Sequence, residues 1–324
     1  MPSSLGPLQL PEPGGKRADF FTFDDPELGA YRWPYFAVVG PEPGLKFLLT
    51  AGIHAAEYTG TLAAIRLGQG LDPRHVRGTI VVLPLLNVPG FFERSVYVNP
   101  VDGQNLNRAF PGRADGTWSE RFAHHLLNDL VVHFDRDMDL HAGDMIEDLE
   151  PFVGFRETGN ADVDRESRRM LDAYPGVRWA SRAVASGDRA GMLYAAAAER
   201  GVAAMLAESG RNGLVEEEAV QRHVDGVRNV WRTLGLLVDQ PPQANEPPRL
   251  LKRNEWLRSQ DEGIFLCRVR PGDAVTASQV LGQLVDLLGE PLAEVRSPDD
   301  GVILFTVTSP AIKRGGLLLA VGVP

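Results

Sequence analysis

The chain has 324 residues, of which 44% are hydrophobic, and a formal net charge of -10. Its length suits one large domain or a large domain with a small one. Its negative charge argues against broad electrostatic binding to nucleic acid or to an anionic membrane. Cys267 is the single cysteine, which excludes an intrachain disulfide. Without a signal-peptide pattern or an apolar run near ~18 residues, we expect a cytoplasmic protein.

Four compact apolar runs predict buried strands in the first two thirds of the chain. Apolar residues at helical spacing predict three helices between or after these strands. One begins after Glu57, and the other two cover residues 118–134 and 215–237. Strands that alternate with helices predict an α/β domain with a largely parallel sheet. Residues 88–116 are rich in Pro and Gly and predict a long loop, which is either functional or disordered. The four predicted strands cover residues 46–51, 79–86, 138–141 and 202–207.

The composition changes at residues 240–248, which contain four prolines and predict a linker. Beyond it, short apolar segments are interrupted by Gly and Pro, with helical spacing only near Val280. This texture predicts an all-β module. We therefore predict a catalytic domain over residues 1–240 and a C-terminal β domain over 249–324.

A histidine and a glutamate follow the first predicted strand. They are His54 and Glu57, in the segment Gly52-Ile-His54-Ala-Ala-Glu57. Parallel strands bind ligands at their carboxyl ends, and an imidazole with a carboxylate is half of a His₂Glu zinc set. A short motif of this kind fits equally well a surface His and Glu at the start of a helix.

The third predicted strand ends at His141, and Asp139 precedes it on the same face. Taken alone, His141 fits a hydrogen-bonded core histidine better than a ligand. Its position at the sheet edge expected for His54 and Glu57 favours a metal ligand. Asp139 is then a candidate for the carboxylate that orients a ligand histidine, with a structural acid elsewhere in the fold as the alternative.

Two further groups complete a candidate hydrolytic site. Glu208 follows the fourth predicted strand, where a carboxylate is costly unless it has a partner or a chemical role. It could take a proton from a metal-activated water. Asn107 and Arg108 lie in the long loop, and the planar arginine fork matches a carboxylate. A solvated loop acid and an ordinary polar loop are the alternatives for these residues.

The order of these motifs resembles the succinylglutamate desuccinylase/aspartoacylase family, which has the zinc-carboxypeptidase fold. The resemblance implies a mixed sheet flanked by helices, with a small C-terminal barrel-like β domain. It implies one Zn²⁺ per chain, held by His54, Glu57 and His141. It implies Glu208 as general base, and Asn107 with Arg108 as the grip on the carboxylate of an N-acyl amino acid. The matching segments are Gly52-x-His54-x-x-Glu57, Asn105-Leu-Asn107-Arg108-x-Phe110-Pro111-Gly112, Asp139-Leu-His141 and Glu208-x-Gly210.

The chain departs from the family pattern in two places. Ala55 and Ala56 stand where members often have Gly-Asp or Gly-Asn. Many members carry an arginine about seven residues before the matched asparagine, where it polarises the scissile carbonyl. Pro100 occupies that position here, and Arg94, the nearest upstream arginine, is our candidate for the role.

The C-terminal segment resembles the lipoyl-like β module of this family. Residues 296–301 contain no lysine that could be modified, so no covalent cofactor is expected. We expect the module to shape the site or to support contacts within a homo-oligomer.

The remaining histidines receive no catalytic role. His125, Asp129 and His133 share one face of a predicted helix and could in principle bind metal, but we assign them to its solvated side. His75 and His223 lie in polar stretches.

The predicted function is a zinc-dependent amidohydrolase that deacylates a small N-acyl amino acid. The alternatives are a metallocarboxypeptidase that acts on short peptides and a metal-free binding protein of the same fold.

Overall fold

The computed structural model describes residues 4–183 and 191–324. Its helices are α1 (Tyr58–Gly70), α2 (Val88–Glu93), α3 (Trp118–His125), α4 (Ala161–Asp172), α5 (Leu193–Glu199) and α6 (Glu217–Thr233). Its strands are β1 (Ser4–Leu5), β2 (Leu8–Gln9), β3 (Gly15–Phe21), β4 (Trp33–Val39), β5 (Glu42–Ala51), β6 (Arg77–Leu83), β7 (Arg136–His141), β8 (Glu147–Leu149), β9 (Phe152–Arg156), β10 (Trp179–Ala183), β11 (Ala203–Glu208), β12 (Arg249–Leu250), β13 (Arg253–Arg258), β14 (Gly263–Cys267), β15 (Ala274–Val275), β16 (Val280–Val285), β17 (Pro291–Arg296), β18 (Gly301–Val307), β19 (Ala311–Ile312) and β20 (Leu317–Val323).

Nine strands form a mixed sheet in the order β12-β10-β9-β11-β7-β5-β6-β4-β3. Its centre, β11-β7-β5-β6, is parallel. The second half of β5 and nearly all of β6, β7 and β11 are buried, as is typical of parallel strands that are covered by helices. Antiparallel strands join this centre on both sides, which makes the sheet mixed. None of the described helices combines the length and the apolar character that a membrane crossing requires.

The parallel register brings three strand ends to one edge of the sheet. Ala51 at the end of β5 pairs with Leu140, and Glu208 at the end of β11 pairs with His141 at the end of β7. Beyond β5, the chain turns at Gly52, whose φ is 67°. A Cβ there would lie 2.8 Å from the side chain of Leu85, so the close turn requires glycine.

The C-terminal strands build two antiparallel sheets beside this edge. One contains β13-β20-β18-β15, and the other contains β17-β16-β14-β19. β8, which follows His141 in the chain, pairs with β18 instead of joining the nine-stranded sheet. The segment that follows β7 is therefore held to the C-terminal module by main-chain hydrogen bonds between β8 and β18.

The structure confirms the predicted mixed α/β class, the four predicted strands and a strand-rich C-terminal region. The prediction of a loop over 88–116 was wrong in part, because Asn87 caps the short helix α2 and Leu106–Arg108 form a 3₁₀ turn. The helix predicted over 118–134 remains α-helical only to His125, and residues near Val280 form a strand.

The predicted linker, residues 240–248, contains no helix or strand. Directly after it, β12 pairs with β10 at the edge of the large sheet. The division of the chain into domains at this segment stays a prediction.

His223 is a buried residue of α6 that the sequence left without a role. Its Nε2–H donates to the carbonyl of His141 at 2.9 Å, and its Nδ1 lies 2.9 Å from the Tyr174 hydroxyl. Since a carbonyl only accepts hydrogen bonds, the neutral ring has its proton on Nε2. His223 thus ties α6 to the end of β7, directly beneath the candidate site.

Burial lowers the pKa of His223 to about 4. Its unfolded pKa is about 6.5, so the unfolded chain binds more protons between pH 6.5 and 4. We expect the free energy of unfolding to fall by roughly 3 kcal/mol from this residue as the pH drops through that window. In His223→Gln this pH-dependent fall should be absent. The difference in the free energy of unfolding between wild type and variant should therefore narrow towards pH 4. Urea unfolding of both proteins in the presence of a chelator measures the gap, and a gap that stays constant with pH would contradict the assignment.

Candidate active site

Three side chains from two strand ends converge at the shared edge of the sheet. His54, Glu57 and His141 each offer one ligand atom, and these atoms all lie within 4.8 Å of one another. Zinc takes nitrogen and oxygen ligands at about 2.0–2.2 Å, commonly as two histidines and one glutamate at catalytic sites. The donor set and its spacing therefore fit a divalent ion such as zinc, with a further coordination position left for water or substrate.

The ring of His54 is oriented by an asparagine. Its Nε2 lies 3.1 Å from Oδ1 of Asn105, which also accepts a hydrogen bond from the backbone of Asn107. Because this amide oxygen only accepts, Nε2 carries a proton and Nδ1 faces Glu57 at 2.6 Å. His54 thereby presents Nδ1 to the cluster.

The ring of His141 is oriented in the same way by a carboxylate. Its Nε2 lies 2.8 Å from Oδ2 of Asp139, whose other oxygen accepts a hydrogen bond from Thr50 at 2.8 Å. Its Nδ1 faces Oε2 of Glu57 at 2.9 Å. A histidine that gives one nitrogen to a metal commonly donates the other N–H to a carboxylate. The sequence-based role of Asp139 agrees with this geometry.

Glu57 is the central acid of the cluster, at the N-terminus of α1. It is 4% exposed, and its Oε2 also accepts a hydrogen bond from the backbone of Ala142. Burial opposes its ionisation, but the imidazoles of His54 and His141 outweigh burial and lower the pKa of Glu57 to about 2. A carboxylate that is ionised at neutral pH suits a metal ligand.

Glu208 points its carboxyl group into the same site from the end of β11. Its Oε2 is buried, and no hydrogen-bond partner for it exists among the described residues. Burial raises its pKa to about 8. A cation bound nearby would lower that pKa, because positive charge favours the carboxylate. A carboxyl group that lacks a structural partner is available to exchange protons with a bound molecule.

The long loop delivers Asn107 and Arg108 to the site. Asn107 is 1% exposed, and its amide oxygen accepts a hydrogen bond from the backbone N–H of Leu193 at 2.9 Å, while its amide nitrogen lies 3.4 Å from Nε2 of His141. Arg108 is exposed towards the cavity and donates to the carbonyl of Asn107. Arg94 ends α2 on the exposed surface and does not line this cavity. The structure therefore offers no support for the predicted role of Arg94 in polarising the carbonyl.

A further acidic residue, Glu147, lines the cavity, and the sequence analysis did not identify it. Glu147 lies on β8, and its Oε2 accepts a hydrogen bond from the backbone of Asp144. Burial together with the nearby charge of Glu57 raises the pKa of Glu147 to about 7, and the neighbouring phenol of Tyr97 acts against that rise. Tyr97 has a positive φ of 61°, and its N–H donates to Asp144. No spacing in the sequence links Tyr97 to Glu147, so only the fold reveals this group.

One cavity of about 1380 Å³ is lined by most of these groups, namely His54, Glu57, Tyr97, Asn105, Asn107, Arg108, His141, Glu147 and Glu208. The catalytic sheet supplies its polar floor, and the C-terminal module supplies much of its apolar wall. This wall includes Trp256, Leu304, Phe305, Val307, Ile312 and Leu317. The C-terminal module is thus part of the site.

A family comparison agrees with this geometry. The family model for the succinylglutamate desuccinylase/aspartoacylase catalytic domain matches residues 43–234. The chain belongs to this family. The match spans both strand ends that carry the candidate ligands, the long loop and Glu208.

Individual relatives extend the comparison over nearly the whole chain. An N-alpha-acetyl-L-2,4-diaminobutyric acid deacetylase from Halomonas elongata is 30% identical over 304 residues, which cover 92% of this chain and 87% of the relative. The product-bound structure of an ectoine utilization protein from Ruegeria pomeroyi has a TM-score of 0.86 at 24% identity, covering 98% of this chain and 99% of that chain. A succinylglutamate desuccinylase from Silicibacter has a TM-score of 0.84 at 24% identity, covering 96% of both chains. The solved structures share the fold, and the relative from Halomonas elongata is a deacetylase by name.

The orientation of His141 by Asp139 leads to a test of metal binding. We call His54, Glu57 and His141, the three candidate ligands of one ion, the metal cluster. In Asp139→Asn the charge that holds the ring is lost, and we expect zinc affinity to fall by about 10- to 100-fold. Competition with a chromophoric zinc chelator measures the dissociation constant. Asp239→Asn is the matched control, since Asp239 pairs with Arg228 and Arg232 on α6 outside the cavity. Equal zinc affinity in all three proteins would separate Asp139 from the cluster.

Proposed function

We propose that the protein is a zinc-dependent amidohydrolase that removes the acyl group from a small N-acyl amino acid. The observation that carries the proposal is the convergence of His54, Glu57 and His141 beside the unpartnered carboxyl group of Glu208. Membership of a deacylase family supports the same reaction class. A zinc ion at the cluster would supply Lewis acidity towards the acyl carbonyl and towards water.

Glu208 is the proposed general base and general acid. Its carboxylate takes a proton from the attacking water and gives a proton to the amine that leaves. The proximity of Glu208 to His141, its register partner across the sheet, keeps the base at the metal cluster. The buried Oε2 has no competing partner among the described residues, so its lone pairs remain directed at the reacting molecules.

Asn107 and Arg108 are the proposed carboxylate grip. The Arg108 guanidinium can donate two parallel hydrogen bonds to a carboxylate, and this fixes the substrate's orientation as well as its position. The amide oxygen of Asn107 accepts a hydrogen bond from the backbone N–H of Leu193, so the loop presents this side chain in a defined place. The relative from Halomonas elongata acts on an N-acetyl amino acid by name, which supports a substrate of this size.

A metallocarboxypeptidase would use the same metal cluster and base. The position of the C-terminal module favours the deacylase, because Trp256, Phe305 and Leu317 wall the cavity where an extended peptide would otherwise continue. We therefore place small N-acyl amino acids before peptides as substrates.

Glu208→Gln should retain zinc and lose turnover, because glutamine keeps the shape of the side chain but cannot take a proton. We expect kcat to fall by at least roughly 100-fold, in line with the loss of a general acid–base. Amine release from N-acetyl, N-succinyl and N-formyl amino acids measures turnover, and elemental analysis measures zinc. His54→Ala is the complementary variant and should lose the metal. Near-normal turnover in Glu208→Gln would remove Glu208 from the chemistry.

Arg108→Lys should impair substrate binding more than the chemical step, since lysine keeps the charge but loses the two-pronged geometry. We expect KM to rise by roughly 10- to 100-fold with a smaller change in kcat. Arg113→Lys is the matched control, because Arg113 lies in the same loop but pairs with Glu120 on the surface. An unchanged KM in Arg108→Lys, or an equal rise in both variants, would rule out this grip.

A further inference from the structure

The acyl oxygen of the substrate has no hydrogen-bond donor of the protein in the proposed reaction so far. Negative charge develops on this oxygen when water adds to the acyl carbonyl, and pre-organised donors at such an oxygen usually make the largest single contribution to catalysis. Glu208 serves the water and the leaving amine, and Arg108 serves the carboxylate. Arg94 ends α2 outside the cavity. The donor for the acyl oxygen therefore has to come from another residue that lines the cavity.

The cavity offers a tyrosine for this position and few cationic alternatives. Among the residues that the structure describes, the lysines and arginines that line the cavity are Arg108, Arg258 and Lys313. Arg258 and Lys313 lie exposed on the C-terminal module, and Arg258 donates to the carbonyl of Gly315 at 3.0 Å. Tyr97 belongs to the long loop of the catalytic half and lines the same cavity as the metal cluster.

The backbone at Tyr97 is strained. The N–H of Val98 donates to the carbonyl of Val96 at 2.7 Å, which closes a three-residue turn around Tyr97, and the φ of Tyr97 is 61°. A γ-turn with a positive φ is rare and strained, and the left-handed region is unfavourable for a bulky residue. Residues held in such conformations cluster at active sites, where the strained geometry serves the function.

Hydrogen bonds outside the turn maintain this conformation. The N–H of Tyr97 donates to Oδ2 of the buried Asp144 at 2.9 Å, which ties the turn to the segment that follows β7. Two residues further along, the N–H of Asn99 donates to the carbonyl of Gln104 at 2.8 Å. The turn is thus fixed before a substrate binds, as a pre-organised donor requires.

The phenol of Tyr97 lies among the acids at the metal end of the cavity. Burial, together with the nearby charges of Glu147, Asp144 and Glu57, raises the pKa of this phenol. The group therefore keeps its proton at neutral pH, and a protonated phenol is a hydrogen-bond donor. Since Glu57 belongs to the metal cluster, the phenol is near the end of the cavity where the acyl carbonyl reacts in the proposed complex.

We propose that Tyr97 is a further catalytic residue, whose phenol O–H donates a hydrogen bond to the acyl oxygen as water adds to the carbonyl carbon. The inference rests on the proposed deacylase function and adds the donor that stabilises the developing negative charge. Because the phenol is neutral, it stabilises this oxygen without lowering the basicity of Glu208, as a cationic donor would.

The proton of Tyr97 is not transferred in this reaction. The water oxygen forms a bond to the acyl carbon, the π electrons of the carbonyl move onto the acyl oxygen, and a water proton goes to Glu208. When the C–N bond breaks, these electrons re-form the carbonyl, and the leaving amine takes the proton from Glu208. Tyr97 contributes only the hydrogen bond, which is strongest while the acyl oxygen is negative.

Tyr97→Phe keeps the ring and removes the donor. On the N-acetyl amino acid that the zinc-loaded wild type hydrolyses fastest, we expect kcat to fall by roughly 100-fold, with KM changed by less than about threefold. Tyr58→Phe is the matched control, because Tyr58 directly follows Glu57 but packs its ring against Phe91 and does not line the cavity. This control should keep the kcat of the wild type. Thermal unfolding and zinc content verify that each variant is folded and loaded.

A stable tetrahedral analogue gives a readout that does not depend on turnover. A methylphosphonamidate in place of the acetyl amide presents charged oxygens where the acyl oxygen becomes negative, whereas the free amino acid product has no group there. We expect Tyr97→Phe to weaken binding of the analogue by roughly 10- to 100-fold and to change the affinity for the free amino acid by less than about threefold. Titration calorimetry measures both affinities.

The outcomes separate this inference from the function on which it rests. Equal weakening of the analogue and of the free amino acid in Tyr97→Phe would assign Tyr97 to ground-state binding and overturn the proposal. An active wild type with unchanged kcat in Tyr97→Phe would overturn it and leave the deacylase function intact. A fall of the same size in Tyr58→Phe would assign the effect to packing at the start of α1 and overturn it as well. A wild type that releases no amine from any N-acyl amino acid would refute the deacylase function, and the role of Tyr97 with it.

Discussion

The site depends on the register of three parallel strands. Because β11 pairs with β7 so that Glu208 lies beside His141, and because β5 ends one residue short of the same level, three chain segments leave the sheet together. A shift by one residue in any pair would turn an alternate set of side chains towards the site, since side chains alternate between faces along a strand. The buried apolar faces of these strands resist such a shift. The core therefore determines the position of the metal cluster as well as the stability of the fold.

The polar groups at this edge are connected in a way that explains which of them are free to react. His54 and His141 are each held on the side away from the cluster, by Asn105 and Asp139. Thr59 joins the start of α1 to the turn after β11 by donating to the carbonyl of Ser209 at 2.6 Å. Within the described residues, Oε2 of Glu208 is buried and has no hydrogen-bond partner. Positioning groups with satisfied hydrogen bonds and one unsatisfied acid are the arrangement expected where the acid exchanges protons.

The sequence was sufficient to predict the positions of the central strands and most of the residues that meet at their carboxyl ends. The strands are apolar on both faces, and His54, His141 and Glu208 follow them directly, so a local pattern located each residue. The sequence was insufficient where position depends on contacts between distant segments. Asn105 orients His54 across 51 residues, and His223 reaches the carbonyl of His141 across 82 residues. The segment around His223 is polar in sequence, so it did not indicate that this histidine is buried. Because the arginine common in the family is absent, we assigned its role to Arg94, and in the structure Arg94 lies on the exposed surface.

The C-terminal module contributes to the site through contacts that its composition alone does not specify. Its composition predicts a β domain that shapes the site, and in the structure β8 from the catalytic half pairs with β18, so the cavity wall combines both parts. A wall built on main-chain pairing cannot move without breaking those hydrogen bonds, so the segment between His141 and β9 is held relative to the metal cluster. The apolar wall of the cavity thus lies on a surface that neither half forms alone.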